Sequence, residues 1–223
     1  MHLLSNTIGQ KAVVAATGAL LLFFVLAHLF GTLSAFSGPD AINTYAQTLR
    51  HFGFLFLVYR VAMTLVLILH VTFAVLVTAT NWRAKPNRYA VKKLRAASFA
   101  GETMIWSGLL LLAFLVYHVL QFTLHATSDV IAQADAQGRF DVFTMMRESL
   151  RHILVSTVYT LAIAALFLHL SHGIQSVPQT IGLLNEKSKP GFHILGTALS
   201  TILLLGYGAI PLLVLAGVGV FGK

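Results

Sequence analysis

The sequence predicts an all-α integral membrane protein with five transmembrane helices, the first four forming an up-down bundle. Three observations carry that expectation. Of 223 residues, 57% are hydrophobic and 10% charged, with a mean hydropathy of +0.81, more apolar surface than a soluble fold of this length can hide. Five apolar runs, near 12–36, 53–80, 98–124, 150–177 and 192–220, each reach the about 20 residues needed to cross the hydrocarbon layer. Strand-period alternation is absent, and a helix satisfies its own backbone in lipid. The whole of 1–223 reads as one transmembrane domain.

Taken in order, the first span is too long for a cleavable signal peptide and no small-residue processing site follows it. The 37–52 connection holds Asp40 and Arg50. The second span runs into an 81–97 connection that gathers Arg83, Lys85, Arg88, Lys92, Lys93 and Arg95, six of the fifteen basic residues. Lys and Arg collect in cytoplasmic loops, so this connection is expected inside. The 125–149 connection carries Asp129, Asp135, Asp141 and Glu148 and is long enough for a short surface helix. The last connection, 178–191, sets Lys187 and Lys189 against Glu186. The N-terminus is then expected inside and the C-terminus outside, in a bacterial cytoplasmic membrane. The net charge of +8 is concentrated in the 81–97 connection, the pattern of a cytoplasmic loop and not of a stripe for nucleic acid, and a minor share of the loop would touch anionic lipid or a docked subunit. Trp82 and Tyr89 fit an interfacial aromatic belt.

The absence of cysteine excludes disulfides, thiolate-held iron–sulfur clusters and covalent haem attachment. Ten histidines remain as a supply of ligands. Within the spans lie His28, His70, His118, His169 and His172, where imidazole is costly unless its nitrogens are occupied. At 1.5 Å per residue, His28 lies roughly 25 Å beyond Lys11, and His118 is equally late in its own outward span. His70 lies roughly 20 Å before Arg83, and His169 about 13 Å before Pro178. Thus His28 and His118 share an outer level, and His70 and His169 share an inner one, with His172 less deep at about 9 Å from Pro178. In an up-down bundle the first and third helices face each other diagonally, as do the second and fourth. A planar macrocycle with an axial imidazole on each face fits that arrangement twice, as two haems with no open coordination position, suited to electron transfer. Zinc or copper fits less well, since neither level offers a third or fourth ligand. The opposing reading is a set of unconnected buried histidines.

An internal echo supports the pairing. Thr17-Gly18 precedes His28 by eleven and ten residues, and Ser107-Gly108 precedes His118 by the same offsets. Eleven residues are close to three turns, so these small residues lie on the histidine face near the inner level. They would clear space for a porphyrin, or serve as ordinary small packing residues between membrane helices.

The chain resembles the di-haem cytochrome b membrane-anchor subunit of succinate dehydrogenase/fumarate reductase (succinate:quinone oxidoreductase, cytochrome b558 type). The resemblance runs through "KAVVAATG" and "HLFGTL" around His28, then "GPDAINTYAQTLR" and "LHVTFAVLVTATNWRAKPNRY" from His70. It continues with "ETMIWSGLLLLAFLVYH" up to His118 and "HLSHGIQSVPQTIGL" from His169. It implies an outer haem b on His28 and His118 and an inner haem b on His70 and His169. The family's fourth ligand opens an H-x-x-x-G pattern, here His169 to Gly173, which leaves His172 to hydrogen-bond near the inner haem or a quinone. It further implies an iron–sulfur subunit and a flavoprotein carrying FAD on the cytoplasmic side, with a membrane quinone, expected to be menaquinone, as electron partner. Succinate chemistry would belong to those subunits, with no substrate residue here. The basic connections would then be docking surfaces as well. One departure stands out: some relatives carry a glutamate two residues before the fourth ligand, implicated in proton movement, where this chain has Phe167. Two alternatives stay open: a haem b subunit of another membrane oxidoreductase, such as a hydrogenase or formate dehydrogenase, and a haem-free proton or metal transporter.

Other polar residues carry paired readings. Arg60, inside the second span, would clasp the carboxylates of the outer haem or snorkel to the headgroups. Arg151 is a weaker candidate for that clasp, and Glu102 reads as a cap or surface charge. His51, His125 and His152 fall at the outer surface, exposed to water or lining a quinone site. His2 and His193 read as inner-surface residues.

Overall fold

The structure, a computed structural model, describes residues 6–84, 101, 103–127 and 133–222. Lys85, Arg88, Tyr89, Lys92, Lys93, Arg95, Glu102, Asp129 and His2 lie outside the described residues. Apart from an isolated bridge between Ala134 and Phe140, regular structure among the described residues is helical. Five of these helical segments are long and apolar enough to cross a membrane.

Helix α1 (Thr7–Leu33) starts where the Asn6 side chain accepts the Gly9 N–H at 2.7 Å, filling one orphan donor of the first turn. The first span therefore begins five residues earlier than the hydropathy suggested. A 3-10 turn (Ser34–Ser37) and Gly38, at φ 99°, redirect the chain into α2 (Pro39–His51). Proline at N1, Asp40 in the first turn and Arg50 and His51 in the last suit a helix and its dipole. The 37–52 connection is thus a helix, where only a loop was expected. A turn through Gly53 (φ 49°) opens α3 (Phe54–Arg83).

Helix α4 (Met104–His118) widens into a π turn over Val119–Thr123. Asp141 then caps α5 (Val142–Arg151) by accepting the Thr144 N–H at 3.0 Å. His152, extended at ψ 116°, separates α5 from α6 (Ile153–Thr180). The fourth span thus starts three residues later than its hydropathy suggested. Helix α7 (Lys189–Ala216) ends on Gly217 in the left-handed conformation, a common C-terminal stop.

A cluster of buried apolar residues ties the short helices to the ends of the spans. Ala35, Ile42, Phe143, Met146, Leu150, Val155, Ile210, Val214 and Phe221 pack where α2 and α5 meet the adjoining ends of α6 and α7. The short helix expected in this connection is α5, and it is anchored by one face: Phe143, Met145, Met146 and Leu150 are all buried, while Arg151 is exposed. Polar contacts lock the same cap. Asn43, itself buried, donates to Asp135 (3.2 Å) and Asp141 (3.1 Å) and accepts from the Phe143 N–H (3.1 Å). Arg139 pairs with Asp135 at 2.8 Å and Asp40 at 2.9 Å. Hydrogen bonds from Arg139, Asn43 and Gln137 outweigh burial and hold the Asp135 carboxyl below its usual range. Burial opposes the same lowering at Asp141, where Thr144 and Asn43 supply the hydrogen bonds.

The spans pack differently. In α3 no residue is buried, and Leu57, Val61, Leu65 and Ile68 are exposed, as expected where lipid is the solvent. The principal partner of α3 is α1, that of α4 is α6, and α6 also packs on α1 and α7. Thr17 of α1 meets His70 of α3, while Phe24, further along α1, meets Tyr59, earlier in α3. Ser107 of α4 meets His169 of α6, and Phe114, further along α4, meets Tyr159. Glycines permit close approach of α7: a Cβ at Gly206 would sit 2.9 Å from Leu29 of α1, and Tyr207 donates to the Val25 carbonyl at 2.8 Å.

Candidate functional site: two histidine pairs on one cavity

Between the α1/α3 and α4/α6 pairs lies a cavity of about 1910 Å³, lined by His28, His70, His118, His169 and His172. A pocket for one drug-sized ligand is roughly 300–1,000 Å³, so this space suits two such guests. The structure brings His28 to His118, with ring centroids 6.0 Å apart, and His70 to His169, at 6.4 Å. The rings are strongly inclined, at 79° and 71°.

Those spacings fit one metal ion between each pair. An imidazole nitrogen ligates at about 2.0–2.1 Å. It stands about 1.1 Å from the centre of a five-membered ring with bonds near 1.35 Å. Two such arms end to end place the centroids about 6.3 Å apart. Two imidazoles are too few for zinc, which takes four ligands. Among the described residues, no group of three or more His, Cys, Asp or Glu gathers to hold an ion. The donor set fits a metal that arrives with its own equatorial ligands, as haem iron does.

The hydroxyls around the rings decide which nitrogen is free. A hydroxyl has one proton to give. Thr17 gives it to the Val13 carbonyl at 2.6 Å, so towards His70 Nδ1, at 3.1 Å, it accepts. Ser107 donates to the Met104 carbonyl at 3.0 Å and stands 3.3 Å from His169 Nδ1. Tyr159 donates to Gln121 Oε1 at 2.6 Å and stands 2.9 Å from His118 Nδ1. With the hydroxyl protons given away in this manner, each imidazole would carry its proton on Nδ1 and leave the Nε2 lone pair free for a metal.

Glycines seat the rings. A Cβ at Gly18 would lie 3.1 Å from His70 Cε1, and one at Gly108 would lie 3.2 Å from His169 Cε1. The Thr17-Gly18 and Ser107-Gly108 echo therefore acts on the histidines themselves: the hydroxyl holds Nδ1 and the glycine admits the ring. His172 rests instead on Gly101, whose added Cβ would meet its Cε1 at 2.9 Å.

The remaining candidates separate. Arg60 lines the cavity with its guanidinium 5.8 Å from the Phe56 ring centre, and it forms no ion pair among the described residues. Arg50 lies over Phe140 at 4.3 Å, and burial together with the neighbouring Arg60 charge lowers its pKa. Arg151 is tied to Glu148 at 3.1 Å and does not line the cavity. Of the three surface histidines, His125 lines the cavity and stacks on Phe140 at 5.0 Å, whereas His51 and His152 are exposed away from it. His193 is exposed as well. Tyr159 and the wholly buried Gln121 escaped the sequence reading. Their signal was available, because a phenol and an amide inside apolar spans need partners. Comparison with family models, curated proteins and solved structures returned no match.

Proposed function

We propose that this chain is the membrane-anchor subunit of a succinate:quinone oxidoreductase, relaying electrons between an iron–sulfur subunit and a membrane quinone through two bis-histidine haems b. The observation that carries the haem reading is the double pairing, with His28 on His118 and His70 on His169 at spacings that admit one iron each. The ordered motifs from "KAVVAATG" to "HLSHGIQSVPQTIGL" support the choice of complex.

Haem b held by two imidazoles exchanges single electrons between its ferric and ferrous forms. The protein's part is orientation and exclusion. His28 and His118 would hold one haem, His70 and His169 the other, with Thr17, Ser107 and Tyr159 fixing the ring nitrogens. Arg60, joined by Arg50, offers positive charge for the carboxylates at the His28/His118 end. His172 stands beside the other pair without being needed as a ligand. The order of contacts along α1 and α3, and along α4 and α6, supports an up-down bundle. In that bundle His70 and His169 sit at the cytoplasmic level, nearer the iron–sulfur subunit and flavoprotein.

A reduced-minus-oxidised spectrum of the purified complex, with haem counted per chain, tests this. The expected result is a b-type α-band, two haems and a co-purifying flavoprotein. A hydrogenase or formate dehydrogenase partner would overturn the choice of complex. A haem-free protein with full cofactor supply would favour a transporter that uses the histidines for protons or metal.

A further inference from the structure

We infer that Tyr159 is a positioning residue that tunes the iron couple at His28/His118, acting through the Nδ1–H of His118. This rests on the two-haem reading and assigns a role to a side chain outside the ligand set. The Tyr159 oxygen lies 2.9 Å from His118 Nδ1. Its own proton goes to Gln121 Oε1 at 2.6 Å, and Gln121 Nε2 donates onward to Tyr117 at 3.0 Å. The phenol is therefore an acceptor already polarised by a hydrogen bond it donates, which strengthens it as an acceptor.

The surroundings make this acceptor hard to replace. Phe114, Phe122 and Tyr159 itself ring His118 at centroid distances of 5.7, 5.6 and 5.9 Å. Gln121 is fully buried, in the π turn Val119–Thr123 that interrupts the span after His118. Single π turns inside helices recur at functional sites, and here the widened turn carries the amide that fixes the phenol.

The two levels are thus built differently. At His70 and His169 the partners are aliphatic hydroxyls tied to carbonyls of their own helices, together with the Val14 and Met104 backbone. At His118 the acceptor is a phenol on another helix, continued by two more side chains. Drawing the Nδ1 proton towards oxygen makes imidazole a more basic ligand, which favours the ferric state. Tyr159→Phe keeps the ring and removes that pull together with the hydrogen bond to Gln121 Oε1.

The test is Tyr159→Phe in the haem-replete protein, with both midpoint potentials titrated and the low-spin ferric resonance recorded. Loss of such a partner changes metal affinity 10–100-fold. A tenfold loss confined to the ferric state raises the couple by about 59 mV for one electron. The expected result is an upward shift of that order in one couple, the one abolished by His28→Ala, with the other unchanged. Gln121→Leu, which leaves the phenol but removes its acceptor, shifts the same couple in the same direction by less. Should Tyr159→Phe lose that haem altogether, Gln121→Leu alone carries the test. Two haems in the parent with neither couple moved, or both couples moved equally, would overturn this assignment while leaving the two-haem reading intact. A parent without haem would remove both.

Discussion

Gly108→Ala places one methyl group against the proposed ligand His169, and its effect follows from the geometry. The new Cβ would lie 3.2 Å from His169 Cε1 and 3.6 Å from Nδ1. Carbon atoms prefer about 3.5–4.0 Å, so the ring must retreat by a few tenths of an ångström or more. Overpacking of this kind costs about 1–3 kcal/mol. Charged to haem binding at about 1.4 kcal/mol per tenfold, it weakens the His70/His169 site roughly five- to 150-fold. Gly101→Ala is the control. Its Cβ would come closer still, 2.9 Å, but to His172. Haem retention after detergent dilution, read from the reduced spectrum, gives the answer. Gly108→Ala should lose one haem before the other, and Gly101→Ala should keep both like the parent. Equal retention in both variants, or selective loss in Gly101→Ala, would refute the assignment of His169 over His172.

Direct substitution should agree: His172→Ala retains two haems per chain, while His169→Ala retains one, counted by the same spectrum. Thr17→Val removes the hydroxyl at His70 Nδ1 with little change in volume, leaving the Val14 backbone contact, and should raise the potential of the His70/His169 couple alone in a redox titration. Asn43→Ala leaves the buried Phe143 N–H without its acceptor, a loss of about 1–3 kcal/mol that should appear as a lower thermal midpoint of the cap. The Asp135 and Asp141 carboxyls sit below their usual range, so their contribution is complete above the unfolded value near 3.9 and lost as pH falls through the lower folded values. Acid-protease cleavage within 133–151 should therefore increase in strong acid while the spans stay intact.

The spans were legible because apolar run length responds to the bilayer alone. The cap was not. Helix α2 has a polar average composition, and its helicity rests on local devices: proline at N1, an acidic first turn and a basic last turn. Its burial depends on Asn43 meeting Asp135 and Asp141 nearly a hundred residues away, which no local pattern reveals. The histidine pairing was within reach of sequence because helix rise fixes depth, and depth with topology selects partners. The eleven-residue offset of Thr17 and Ser107 was visible too, but spacing alone could not tell a cleared space from a hydroxyl bonded to a ring. Tyr159 and Gln121 lay on two different spans, and only packing joins them to His118.

Anomalous diffraction at the iron edge, on crystals of the cofactor-replete protein, tests the central claim most directly. Two peaks are expected within the four helices, one between His28 and His118 and one between His70 and His169. A single peak, a peak bound through His172, or none at all would contradict it.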